Sequence, residues 1–221
     1  MIEKKEKMIG FLLGNANPSI KRRVKNEILN NLTQREAAGY QEQILQEPNI
    51  RRCLACQLDN GWFGHGFHGT GKNVGQFENQ ETCTKYLGEK SVDKDTPALK
   101  RSMEAFTDMS LYNCDSGNEF KLAANGSNLI RCACIARARY ADVIDISPQI
   151  QLFIPAMQKA VDEIMSYVDN DGICNLPVKY ADLFKGWGPY GGLQLEVDWK
   201  SKIRKFCDIT FRALLILHYS G

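Results

Sequence analysis

The pattern proline, any residue, an aliphatic residue and two bases occurs three times in this chain: Pro18-Ser-Ile-Lys-Arg, Pro48-Asn-Ile-Arg-Arg and Pro97-Ala-Leu-Lys-Arg. Proline gives no N–H to a helix ladder and its φ is already helical, so it suits the first position of a helix and disrupts the interior. Each copy therefore predicts a helix start. Asn128-Leu-Ile-Arg is a weaker fourth copy, and short and long intervals alternate along the four. The step from Pro18 to Pro97 nearly equals that from Pro48 to Asn128. Such a regular double step predicts stacked helical hairpins, each burying its apolar face on its neighbours.

The apolar residues follow the same rule. Ile20, Val24 and Ile28 recur every fourth position after Asn17-Pro18. Thr33-Gln-Arg-Glu36 is a capping box, in which Thr and Glu side chains each satisfy a backbone N–H at a helix start. Leu129, Ala133, Ala136, Tyr140 and Val143 draw one stripe. Phe153, Met157, Ala160/Val161, Ile164 and Val168 draw a second, and Ile203, Phe206, Thr210, Ala213 and Leu217 a third. No stretch of comparable length alternates with period two. The expected fold is all-α: stacked helical hairpins over residues 1–221 as one helical-repeat domain, with 170–221 as its C-terminal portion.

Composition narrows the function classes. The chain has 221 residues, 43% of them hydrophobic, so it can build a core without disulfides despite its eight cysteines. Lys and Arg exceed Asp and Glu by 28 to 26, which gives no basic face for nucleic acid. No run approaches the ~20 apolar residues that span a bilayer. Met1-Ile-Glu-Lys-Lys-Glu-Lys mixes acids with its lysines, and the short apolar stretch after it leads to Lys21, Arg22 and Arg23 rather than to a small-residue cleavage site. A cytoplasmic chain with reduced thiols is the expectation.

Three irregular stretches interrupt the helices. Asp59-Asn-Gly-Trp-Phe-Gly-His-Gly-Phe-His-Gly-Thr-Gly71 packs five glycines and two histidines into thirteen residues. Asp169-Asn-Asp-Gly-Ile-Cys-Asn-Leu-Pro177 and Lys185-Gly-Trp-Gly-Pro-Tyr-Gly-Gly192 are the others. Such loops would collect at hairpin ends, where loops carry function.

Cys56-Gln-Leu-Asp-Asn-Gly-Trp-Phe-Gly64 resembles the repeat signature of protein prenyltransferase β subunits and terpenoid cyclases. That signature is a helix ending in Gln, an Asp-Gly or Asn-Gly turn, then aromatic and glycine residues. The resemblance implies that the Gln caps the helix end and that the aromatic residue lodges between hairpins. It also implies an α/α toroid, two concentric rings of helices around a cavity. Asp169-Asn-Asp-Gly-Ile is similar to a degenerate second copy. At these spacings the chain supplies about four or five hairpins of the five to seven a full toroid uses, so it reads as a partial ring or part of a longer product. The family's catalytic sets are not matched. Prenyltransferases hold zinc with an Asp and a Cys two residues apart plus a distant His, and no convincing set occurs among His65, His68 and His218. Cyclases use Asp-x-Asp-Asp, and Asp169-Asn-Asp171 has the wrong second half.

The candidate ligand-binding residues are Asp59, Trp62, Phe63, His65, Phe67 and His68: an apolar lining beside a few polar groups, as ligand pockets have. Cys53-Leu-Ala-Cys56 followed by His65-Gly-Phe-His68 also has the donor types of a Cys₂His₂ zinc site. Its H-x₂-H spacing is short for a finger, and cysteines on a helix commonly face the core, so no metal ligand and no cofactor is assigned. The basic pairs Arg22/Arg23, Arg51/Arg52 and Lys100/Arg101 read either as a phosphate-binding stripe or as a solvated face. Cys132-Ala-Cys134 reads as core. Catalytic residues are unassigned, and whether the chain is an enzyme stays open. Three functions fit: a binder of, or enzyme acting on, a hydrophobic or prenyl-like molecule in a central concavity; a non-catalytic scaffold for a protein partner; a zinc enzyme using the Cys/His loop.

Overall fold

The computed structural model describes residues 2–64, 67, 77, 79–107, 133–138, 161–177 and 194–219. Its elements are helical. They are α1 (Ile2–Asn15), α2 (Pro18–Arg23), a π turn (Val24–Ile28), α3 (Gln34–Leu45), α4 (Pro48–Leu54), α5 (Gln80–Glu89), α6 (Pro97–Thr107), α7 (133–137), α8 (161–166) and α9 (Lys202–Tyr219). Among the described residues, β pairing is limited to two isolated bridges. The fold class is all-α.

The three prolines open helices as their chemistry requires. Pro18, Pro48 and Pro97 are each the first residue of a helix, and the aliphatic residue two positions on (Ile20, Ile50, Leu99) is fully buried each time. Asn17 caps α2, its Oδ1 accepting the Ile20 N–H at 3.0 Å. The capping box forms at α3: the Glu36 carboxylate accepts the Thr33 N–H at 3.1 Å, and Thr33 Oγ1 accepts the Glu36 N–H at 3.2 Å.

The span expected as one repeat domain gathers into two compact units. The first holds Met1–Tyr40, Asp145–Lys185 and Gln194–Gly221; the second holds Gln41–Ile144 and Gly186–Leu193. In the first unit α1 packs along α9, and Met8, Leu12, Ile20, Val24, Phe211 and Leu214 form the centre of its core. Each such side chain contributes roughly 1.5–3 kcal/mol by leaving water. One buried carboxylate organises the polar part of this unit. Asp208 accepts the Leu195 N–H at 2.8 Å, the Trp199 Nε1–H at 2.9 Å and the Arg212 Nε–H at 3.0 Å. The segment it holds is joined in turn to Asn17, whose N–H donates to Glu196 at 3.0 Å.

In the second unit α5 packs between α4 and α6. Lys90, fully buried at the end of α5, is ion-paired with Glu47 at the start of α4. Ser91 ends α5 with a left-handed φ of +58°, and the bonds Ser91 N–H to Gly88 O and Val92 N–H to Leu87 O make a Schellman cap. Gly88 lets α7 approach closely: a Cβ there would lie 2.5 Å from the Arg137 carbonyl oxygen.

The stripe expected on α9 keeps its register at Thr210, Ala213 and Leu217, all buried, and fails only in the first turn, whereas the stripe expected on α7 shifts. Ile203 is 52% exposed because the first turn of α9 precedes the core; burial begins at Cys207. On α7 the buried residues are Cys134 and Ile135 while Ala133 is exposed, and Leu129, Tyr140 and Val143 lie outside the described residues. Among the described residues, no helix is long and apolar enough to cross a membrane.

Candidate functional site

After α4 ends at Leu54, the chain makes a tight reversal that brings Gln57 opposite Phe63. Leu58 N–H donates to Trp62 O at 2.7 Å, Gly61 N–H to Leu58 O at 3.0 Å and Gly64 N–H to Cys56 O at 2.9 Å. Gly61 has φ +87°, and a Cβ there would sit 2.6 Å from the Arg101 carbonyl oxygen on α6. Only glycine meets both the left-handed φ and the close approach.

Side chains fix this reversal to the helices around it. Gln57 does not cap the end of α4, as its place in the signature suggests. Its Nε2 donates to Gly61 O at 3.1 Å and to Ala98 O at 2.7 Å, and its Oε1 accepts from Arg101 Nη2 at 2.7 Å. One amide thus spans turn and α6. Phe63 N–H donates to Gln80 Oε1 at 2.8 Å, and Gln80 Nε2 continues to Ser102 Oγ at 2.8 Å, which joins the turn to α5 and α6.

The aromatic residues expected to line a pocket are packed. Trp62 is 4% exposed, and Phe63 and Phe67 are buried as fully. The Trp62 and Phe106 ring centroids are 5.7 Å apart, and Phe67 meets the same Phe106 edge-on at 5.6 Å. This cluster seals the turn against α6. Asp59 is exposed at the tip of the turn and does not join the aromatic residues. His65 and His68 lie outside the described residues.

The thiols point to separate partners. Cys53 is buried, with Sγ 3.9 Å from Cys83 O, whereas the half-buried Cys56 Sγ donates back to Arg52 O at 3.3 Å. Burial, then the neighbouring Cys83, holds the Cys53 thiol well above its ordinary pKa. Cys134, Cys174 and Cys207 are pushed up to about 12, chiefly by burial. At neutral pH these groups are protonated, the poor state for a nucleophile or a metal ligand. Among the described residues no three His, Cys, Asp or Glu side chains converge as a metal ion requires. The basic pairs have unlike surroundings. Arg22 is buried, Arg23 pairs with Glu27 at 2.8 Å and lies over Phe211, Arg52 lies over Phe77, and Arg101 is held by Gln57.

The degenerate copy at Asp169 proves close in backbone geometry. Val168 pairs with Cys174 as Gln57 pairs with Phe63. Asp169 N–H donates to Ile173 O at 3.0 Å, Gly172 N–H to Asp169 O at 3.2 Å and Asn175 N–H to Tyr167 O at 2.9 Å. These are the three bonds of the first turn under one constant offset, with Asp169 standing for Leu58, Gly172 for Gly61 and Asn175 for Gly64. Gly172 repeats the positive φ at +80° and would place a Cβ 2.4 Å from the Met8 nitrogen of α1. Cys174 N–H donates to Thr210 Oγ1 at 2.9 Å, as Phe63 N–H does to Gln80.

No apolar stripe marks α5 in the sequence. Gln80, Glu81, Thr82, Thr84 and Glu89 are all buried, because α4, α6 and α7 enclose the helix whatever its own polarity. The sequence also holds Cys114-Asp-Ser-Gly-Asn-Glu-Phe120, whose Gly117 stands almost midway between Gly61 and Gly172. The proline pattern does not reveal that spacing, and these residues lie outside the described ones. No family profile, curated protein or solved structure matches this chain.

Proposed function

We propose that this chain is a non-catalytic helical-repeat scaffold that presents its helices to a protein partner, built on the toroid-like plan of prenyltransferase β subunits and terpenoid cyclases. One observation carries the reading. Both copies of the turn use their glycine and backbone N–H groups to hold helices together, and the first adds its glutamine and aromatic side chains to that task. The residue types that resemble an enzyme family's signature serve here as joints. Supporting it, the buried thiols are kept protonated, which suits packing better than chemistry. A cytoplasmic setting belongs to the same reading. The described cysteines stand as thiols, and the near-balanced charge of +2 suits neither nucleic acid nor an anionic surface.

A second reading, a hydrophobic or prenyl-like ligand, draws on the Trp62–Phe67–Phe106 cluster, which a small rearrangement would turn from packing into lining. Melting curves of the purified chain with farnesyl diphosphate, geranylgeranyl diphosphate or zinc separate the readings. The scaffold predicts no shift with any of them, and a partner protein that co-elutes one to one when both are purified. A saturable rise in melting temperature with a prenyl diphosphate replaces the scaffold by the pocket. A rise with zinc replaces it by the metal site.

A further inference from the structure

The two turns are docked on helices that stand in opposite places in the chain. The turn at Gln57–Phe63 precedes its helix: Gln57 is bonded to Ala98, and Gly61 lies on the backbone of Arg101, three residues further along α6. The turn at Val168–Cys174 is docked on α1, far earlier in the sequence. Gly172 lies on the Lys7–Met8 peptide as Gly61 lies on Arg101. Here the helix reaches to the turn, Lys4 Nζ donating to Val168 O at 2.7 Å, where in the other unit the Gln57 side chain donates to the helix. The register agrees at further points. With Arg101 set on Lys7, Ser102 falls on Met8 and Phe106 on Leu12, and all four are fully buried.

The partner helices agree as well. In one unit α5 gives the side chain that accepts the turn's last N–H and packs on α6. In the other α9 gives that side chain and packs on α1. The end of α9 lies beside the start of α1, where Lys5 Nζ stands 3.4 Å from His218 Nδ1, so α9 leads toward α1 as α5 leads into α6. Thr210 sits in the middle of α9 whereas Gln80 opens α5, which means that α9 starts about two turns earlier relative to the turn it caps.

We infer that α1 is a closing helix: it fills, in its own unit, the place that α6 fills in the other, so that the chain completes its last turn-and-hairpin unit with its first helix. Stacked helical repeats bury their apolar faces only against neighbours, and a segment returning from elsewhere in the sequence supplies the neighbour that the turn at 168–174 needs. The seat of α1 is therefore a helix-binding surface, whose occupant is this chain's own residues 2–15.

A circular permutant tests this. The chain is opened between Asn31 and Leu32, in the link between the π turn and α3. Tyr219 is then joined to Ile2 through a copy of Lys90–Thr96, the segment that connects α5 to α6. If α1 stands where α6 stands, that borrowed connection fits, and the permutant melts cooperatively within about 4 °C of the parent, a small shift for a chain of this size. Gly172→Ala then lowers both melting temperatures equally. If only a long flexible linker gives a folded protein, α1 is reached by a path unlike that from α5 to α6, and the equivalence is wrong. If neither permutant folds, residues 1–31 and 32–221 co-expressed as two chains decide. A one-to-one complex weakened by Gly172→Ala supports the closing helix, and fragments that purify apart overturn it.

Discussion

Trp62→Ala measures how far the glycine turn depends on its aromatic residue. Trp62 is 4% exposed and packs on Phe106 with ring centroids 5.7 Å apart. A buried aromatic side chain removes about 150–250 Å² from water. At about 25 cal/mol per Å² that is roughly 4–6 kcal/mol, an upper value because unfolded chains already bury part of their surface. Measured truncations of Phe and Trp in cores cost about 3–5 kcal/mol, and that is the loss expected here. Urea unfolding followed by far-ultraviolet circular dichroism gives the value. A double-mutant cycle with Phe106→Leu should return a coupling of about 0.5–1.5 kcal/mol for the aromatic pair. Asp59→Ala, at the exposed tip of the same turn, is the control and should stay within about 0.5 kcal/mol. A loss below about 1 kcal/mol for Trp62→Ala would mean that the indole is not part of the core, and the joint reading of the turn would fail with it.

Asp208→Ala leaves the Leu195 N–H, the Trp199 indole N–H and the Arg212 guanidinium without their carboxylate; the expected cost is about 3–5 kcal/mol in a denaturant melt, and a neutral result would refute the clamp. N-ethylmaleimide at pH 7.5 should label Cys56 in the folded protein and spare Cys53, Cys134, Cys174 and Cys207, whose thiols are held protonated by burial; peptide mapping that finds Cys207 labelled first would contradict this. Glu36 is held down to about 2, first by the Lys25 ammonium, then by the Thr33 N–H and hydroxyl. Because its folded pKa lies below the unfolded value, the stability it contributes is present above about pH 4.5 and lost as pH falls toward 2. A carboxyl titration by NMR should place its midpoint near 2, and a midpoint above 4 would remove the Lys25 contact.

What the sequence discloses and what it hides divide by the range of the forces involved. Pro18, Pro48 and Pro97 open helices because the constraint is carried by the proline ring itself, and the Thr33–Glu36 box forms because its partners are three residues apart. The glycine turn is legible for the same reason, since the left-handed φ at Gly61 is a local property of the Asn60-Gly61 pair, whereas its close approach to Arg101 is not. The role of Gln57 is not, because the bond that decides it reaches Ala98, far along the chain on another helix. The burial of Gln80, Glu81 and Thr82 is equally invisible to periodicity: it is imposed by the helices packed around α5, and no apolar stripe announces it. Trp62, Phe63 and Phe67 are legible as a cluster, but composition does not show that Trp62 and Phe67 both pack on Phe106, which belongs to another helix far along the chain.

The two glycine turns act as one structural joint used twice. The most direct test is the matched pair Gly61→Ala and Gly172→Ala, each measured by thermal and urea unfolding. Both glycines have positive φ, and both would bring a Cβ within 2.6 Å of helix backbone. Left-handed strain of about 1–2 kcal/mol and overpacking of about 1–3 kcal/mol together predict a loss of about 2–5 kcal/mol at each site. Losses of similar size at the two positions are the expected result; a neutral outcome at either one would show that the turns are not equivalent joints.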